Sequence, residues 1–176
     1  MLRRFVRDRR GVSAVEFALI APIMIFLYAG LAELTMGLMA NRRAEHVASA
    51  IGDLVAQTPT TSATEVTDIF TIGQAIIAPF PTASLNMRVS SVKVDSGGTA
   101  KVVWSRGYGA SLTAKPVGAI ITLPNNLISV GESVIMAESR YTFTSPLGQV
   151  LPTPLVFNRV YYLRPRRSEE VACSTC

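Results

Sequence analysis

Several residues in this sequence have the types and spacings that chemistry uses. Cys173 and Cys176 stand as Cys-Ser-Thr-Cys, the spacing of thiol–disulfide exchange and of half a metal site. Glu16 follows Gly11 by five positions and sits at the mouth of an apolar run. An ionised carboxylate at that depth is costly, so it either meets a partner or reaches back to the membrane interface. A cut after Gly11 would give Val12 a free α-amino group, and that cation on a neighbouring copy could pair with Glu16. Glu169 and Glu170 are adjacent, and His46 is the sole histidine.

Most of these groups fall away as catalysts. With one histidine and one cysteine pair, a four-ligand zinc site from a single chain lacks its ligands. His46 falls on the polar face of a helix, and Glu169-Glu170 reads as solvated charge. Gly97-Gly98 has the character of a hairpin turn, and no glycine loop suited to phosphate is present. A reactive Cys-x-x-Cys needs a helix start or a base to lower a thiol pKa. Here the motif closes the chain, with no residues left to build that environment. A structural or labile Cys173–Cys176 disulfide is therefore expected, with a cross-link to a partner as the alternative. The sequence offers no catalytic residue and no cofactor site.

The elements that must position Glu16 are unusual. Hydrophobic residues make up 49% of the chain and charged residues 16%, against roughly 25% charged in a typical soluble domain. The imbalance is local. Phe17 to Ala32 is 16 residues without a charge, and Val12 to Ala40 is 29 residues interrupted only by Glu16 and Glu33. As helix these span ~24 Å and ~43 Å, enough to cross a bilayer core that needs about 20 residues. A removable signal peptide is the competitor, but the run continues into an amphipathic helix rather than a cleavage region. Pro22 lies within it and should kink or loosen the helix. The net charge of +5 is concentrated at the start, where five arginines in ten residues face only Asp8. The remainder carries twelve basic and eleven acidic residues. This basicity is a terminal address rather than a nucleic-acid surface, and it places residues from Asn41 onward outside the cytoplasm.

The wording Arg9-Arg10-Gly11-Val12-Ser13-Ala14-Val15-Glu16-Phe17 resembles the signal of type IV prepilins, with Glu16-Phe17 as in the type IVb branch. The longer stretch RRGVSAVEFALIAPIMIFLYAGLAEL is similar to the TadE-like pseudopilins of the tight-adherence (Flp) pilus system. Tyr141 to Leu147, and Tyr162 to Ser168 through Cys173, look like that family's C-terminal portion. The resemblance covers roughly the first 57 and the last 45 residues. It implies that a prepilin peptidase cuts between Gly11 and Val12, that Glu16 and Phe17 serve assembly, and that the partners are other pilin-like subunits and the pilus machinery at a bacterial inner membrane. The major Flp pilin is far shorter, and TadG-like relatives carry a longer outer region. A minor pseudopilin is thus implied. The alternatives are a membrane-anchored scaffold that keeps its leader, and a thiol–disulfide protein.

The expected organisation is a basic leader over 1–11, a spanning helix over 12–40 and an exported domain over 41–176. Ala44, Val47, Ala48, Ile51, Leu54 and Val55 recur at helical spacing, so the helix continues to about Gln57. Ser62 with Glu65 makes a capping box for a second helix to about Ile77, with Val66, Ile69, Phe70, Ile76 and Ile77 inward and Gly73 a weak point. Beyond Pro79 and Pro81 the period becomes two. Leu85, Met87 and Val89 alternate, and Val92 and Val94 resume on the other parity, which predicts a bulge at Ser90-Ser91. Further strands are expected over 100–108, with Val102 and Trp104 on one face, over 133–144 and over 155–164, with 109–131 as loop. The fold class is α+β: one long helix against a small antiparallel sheet.

Overall fold

A computed structural model describes residues 11–124, 127–146, 148 and 154–176. Helix α1, Val12–Ala56, is the scaffold of the molecule and runs through Pro22 without interruption. Its buried positions begin at Glu33 and Gly37 and then follow a four-residue rhythm from Ala40: Ala44, Ala48, Gly52 and Ala56. Residues four apart share a helix face, and side chains this small let a helix lie close to whatever covers them. A β-carbon added at Gly52 would stand 2.6 Å from Leu163 Cδ1 and 2.8 Å from the Ala137 methyl. Val47, Ile51 and Val55 flank the stripe and are wholly buried, whereas Leu54 is only half-covered.

After the short strand β1, Thr60–Thr61, comes helix α2, Ala63–Ile77. Its start is the capping box read from the sequence: the Glu65 amide donates to Ser62 Oγ at 3.3 Å, and the Ser62 hydroxyl donates to Glu65 Oε2 at 3.1 Å. Val66, Phe70 and Ile77 are buried, and Ile69 and Ile76 are half-covered. Gly73 has a use that its low helix propensity hides. A β-carbon there would meet Met87 Sδ at 2.5 Å and Ile51 Cγ2 at 3.2 Å, so glycine is what lets α2 close on α1 and the sheet. From α1, Arg43 donates to the Ile76 carbonyl at 2.9 Å, one of the carbonyls that a helix end leaves without an internal partner.

The main sheet has four antiparallel strands: β2, Leu85–Val94; β3, Ala100–Tyr108; β4, Ser133–Phe143; and β5, Leu155–Leu163. Their order is β3-β2-β4-β5. The helix α1 lies over β4 and β5, with α2 beside it. Leu85, Met87, Val89, Ile135, Ala137, Tyr141 and Phe143 meet the helices in one core. Ser139, on the same face, donates to the Ala44 carbonyl at 2.6 Å, so the one polar position in that stripe is satisfied by the helix it faces.

The opposite face of the sheet carries a second, smaller core. Val92, Val94, Val102, Val134 and Met136 pack there under Ile121, Leu123, Leu127 and Ile128, which belong to the connection between β3 and β4. The stretch expected only as loop is therefore a lid, held on β3 by the Val102 amide to Ala119 O at 2.9 Å and the Ile121 amide to Ala100 O at 2.9 Å. This explains the parity change in β2. Its pairing with β4 is unbroken from Leu85 to Lys93, so the apolar residues change sides because each end of the strand is covered on a different face. The irregularity lies between Ser91 and Val92 in the pairing with β3, where Ser91 opposes Trp104 and Val92 opposes Val102. Val103 is the extra residue. Val102 and Trp104 thus lie on opposite faces, contrary to the sequence expectation.

Beyond β5 the chain forms a strap that ends in strand β6, Ala172–Cys173, paired parallel with β1. It joins both helices and the sheet. The Arg166 amide donates to Ala56 O at 2.9 Å, Trp104 Nε1 donates to Val171 O at 2.7 Å, and Ser133 Oγ donates to Glu169 O at 2.6 Å. Lys93 and Glu170 form an ion pair at 2.7 Å, which raises the Lys93 pKa above its usual value through that hydrogen bond and the attendant charge.

Candidate functional site

The residues singled out for processing and assembly all lie at the start of α1. Gly11 is the residue before its first turn, with φ −82° and ψ −14°. Any L-residue adopts that backbone, and an added β-carbon would meet nothing within 4 Å. The folded chain therefore places no demand for glycine at this position. Val12 and Glu16 are one turn apart on the same side of the helix, and both are exposed. Phe17 beside them is 72% exposed. Glu16 takes no part in any hydrogen bond or ion pair among the described residues. The structure thus brings Val12, Glu16 and Phe17 together as an outward-facing cluster remote from the folded domain.

That cluster opens a long unsatisfied surface. The large apolar side chains of Val12, Val15, Phe17, Leu19, Ile20 and the residues from Ile23 through Leu31 are exposed almost without exception. The helix is long and apolar enough to cross a membrane, and its most apolar window has none of its residues buried. A water-facing surface of this size is far beyond the few hundred Å² of contiguous apolar patch usual on a soluble monomer. Nothing among the described residues covers it.

Glu33 marks the change. It is wholly buried, the first buried residue of α1, and sequence patterning assigns it no role beyond interrupting the apolar run. From there the helix belongs to the domain. Two bonds fix its rotation against β5: Arg159 Nη2 donates to Asn41 Oδ1 at 2.5 Å, and the Tyr161 hydroxyl donates to Glu45 Oε1 at 2.7 Å. The second raises the Tyr161 pKa, because the phenol proton is held by a carboxylate. His46 is exposed on the polar side of the helix.

The second group of sequence-derived candidates lies elsewhere. Cys173 and Cys176 are joined as a disulfide with their α-carbons 5.6 Å apart. Within that ring, the Ser174 amide donates to Thr61 O at 3.4 Å, and Thr175 Oγ1 accepts from the Ala63 amide at 2.9 Å. The bridge thus shapes a turn that caps α2 and extends the β1–β6 pairing. It is far along the chain from Glu16 and does not join that site. Of the adjacent Glu169 and Glu170, Glu170 pairs with Lys93. Among the described residues no group of three or more His, Cys, Asp or Glu side chains gathers where a metal ion could be held.

Residues 11–52 match the family described as TadE-like protein. The match takes in the exposed cluster, the apolar surface and most of the domain-bound half of α1, and it stops short of the sheet. No curated protein and no solved structure matches the chain.

Proposed function

We propose that the chain, whose residues 11–52 match the TadE-like family, is a non-enzymatic minor pseudopilin of a tight-adherence type IVb pilus. In this reading residues 1–11 form a leader that a prepilin peptidase removes between Gly11 and Val12. Residues 12–40 span the bacterial inner membrane, and 41–176 form the periplasmic domain. The observation that carries the reading is the division of α1 at Glu33. One half of a single helix is bound to a folded domain, and the other half projects as bare apolar surface headed by Val12 and Glu16.

The chemistry follows from that division. Before the cut, a strongly basic leader precedes the helix and keeps its start at the cytoplasmic face. The cut removes the leader's charge and leaves one ammonium at Val12. A carboxylate one turn away, with no partner among the described residues, is available to the ammonium of a neighbouring pilin-like subunit when apolar helices pack side by side. In a medium of low dielectric such a pair is strongly favoured over two separated charges. Gly11 supports the same reading, since nothing in the fold requires glycine there and a processing enzyme that accepts only a minimal side chain would.

The test is processing in membranes that contain a prepilin peptidase. Wild-type chain is expected to yield a product that begins at Val12, seen by N-terminal sequencing and intact mass, whereas Gly11→Arg accumulates at full length. Mature wild-type protein that still begins at Met1 would overturn the proposal in favour of a scaffold that keeps its leader.

A further inference from the structure

Where α1 enters the domain, its outward face does not become polar at once. Leu34, Leu38 and Met39 are exposed, Leu38 at 53%, while Glu33, Gly37 and Ala40 turn inward. The one hydroxyl on this outward face, Thr35, donates back to the Leu31 carbonyl at 2.8 Å, so it needs no water. Beside these residues the start of β5 adds Leu155 and Phe157, and the two elements enclose an open notch of about 110 Å³ lined by Leu34, Gly37, Leu38, Asn41, Leu155 and Phe157. Arg42, exposed, is the first cation on the helix after this stretch.

The length of α1 says what covers this notch. A hydrocarbon core of ~30 Å takes about 20 helical residues, which counted from Phe17 end at Met36. With its interfacial layers a bilayer is ~40–45 Å thick, so the outer layer adds roughly four or five residues and ends at Asn41. The notch therefore falls at the boundary between acyl chains and headgroups, continuous with the exposed helix below it, and Arg42 emerges at headgroup level. We propose that the base of the folded domain is seated in the outer leaflet of the membrane, with the notch between α1 and β5 occupied by lipid acyl chain. The domain is then not carried on a free stalk. Its sheet stands on the bilayer through Leu155 and Phe157, and the carboxylate of Glu33 is enclosed by protein at a depth where lipid would not solvate it. This rests on the reading of α1 as a spanning helix.

Contact quenching of tryptophan by brominated lipid separates the two claims. The full chain is reconstituted into phosphatidylcholine vesicles whose acyl chains carry bromine near the headgroup end or near the middle. Trp104, the sole tryptophan of the chain, is buried and lies toward the opposite end of the domain, so its blue emission reports folding in every variant. Phe26→Trp, in the middle of the exposed helix, should lose most of its added emission to mid-chain bromine. Leu38→Trp and Phe157→Trp should lose most of theirs to bromine near the headgroup and much less to bromine at mid-chain. Quenching of Phe26→Trp with none at Leu38→Trp or Phe157→Trp would leave the spanning helix intact and overturn the seated base, as would shielding of the notch by a second protein chain. No quenching of Phe26→Trp would remove the spanning reading, and this proposal with it. Met39→Trp, at an exposed position, replaces Phe157→Trp if that variant loses the Trp104 signal.

Discussion

The two halves of α1 are similar in composition and opposite in circumstance. Both are rich in alanine, glycine and aliphatic residues. From Val12 to Leu31 the large side chains point outward all round the helix, and nothing among the described residues covers them. From Glu33 to Ala56 the small residues fall on one line, and at Gly52 the sheet closes on them so tightly that an added β-carbon would overlap Leu163 and Ala137. Residue size, rather than hydrophobicity, distinguishes the helix surface that meets its own domain from the one left exposed. A close seam with β4 and β5 fixes one orientation, whereas a crowd of Leu, Ile, Met and Phe can pack against many partners.

The comparison breaks most severely at Gly52. Gly52→Val should cost about 3 kcal/mol or more, since its new carbons would overlap Leu163 and Ala137 on a backbone that has little room to retreat. A marginally stable domain loses much of its margin to such a change. Leu27→Val, in the exposed half, should leave the thermal midpoint of the domain unchanged. Equal midpoints for Gly52→Val and wild type would show that the seam is not close-packed.

Glu16→Gln tests the other half. The variant should insert in membranes and keep the domain's melting curve, because Glu16 is exposed and remote from the folded domain. Recovery of pilin-like partners from membranes and the number of surface pili should both fall sharply. Wild-type pilus counts in a strain that carries only the Glu16→Gln variant would reduce the residue to an interfacial charge.

Much of this division was legible in the sequence. The exposed half announces itself by an unbroken apolar run, and the bound half by its three- and four-residue spacing. The capping box at Ser62 and the strands over 85–94 and 100–108 depend on neighbours in sequence, and those signals are local. What escaped depends on distant partners. Gly73 counts as a helix breaker until Met87 and Ile51 are seen against it. Val103 cannot be recognised as a bulge without the partner strand, and the covering residues Ile121, Leu123, Leu127 and Ile128 have no period because they follow the contour of another surface. Glu33 reads as a second interruption of the span, and its burial requires the domain to be in place. The proposed site at Gly11, Val12, Glu16 and Phe17 is defined by sequence order, and what the structure adds is that Val12, Glu16 and Phe17 are exposed.

Smaller effects refine the picture at the edges of the bound half. Replacing both Cys173 and Cys176 with serine should leave the sheet folded and lower the domain's stability by at most about 2 kcal/mol, since the closed ring is short. The β1–β6 pairing and the cap on α2 should show the change first, as faster amide exchange at Ala63 and Ser174. A loss of the whole cooperative transition would assign the bridge a larger part. The least effect concerns Tyr161. Its pKa is raised in the fold by the bond to Glu45, so its contribution is complete below the ordinary phenol value of about 10 and is lost as the pH rises through the folded value. Alkaline titration of thermal midpoints should show a steeper decline above that value for wild type than for Tyr161→Phe. Parallel curves would mean that the bond does not hold in solution.

The seam between α1 and the strands and strap that cover it also has a mechanical sense. Asn41 with Arg159, Glu45 with Tyr161, and Asp53 with Arg166 succeed one another along the helix, and the Ala44 and Ala56 carbonyls accept from Ser139 and the Arg166 amide between and beyond them. A force drawn along the helix axis loads all of these in shear at the same moment, whereas a force across the axis would peel them one by one. Tension on the apolar half runs along the axis. The domain is thereby fastened to its helix in the direction in which it would be pulled.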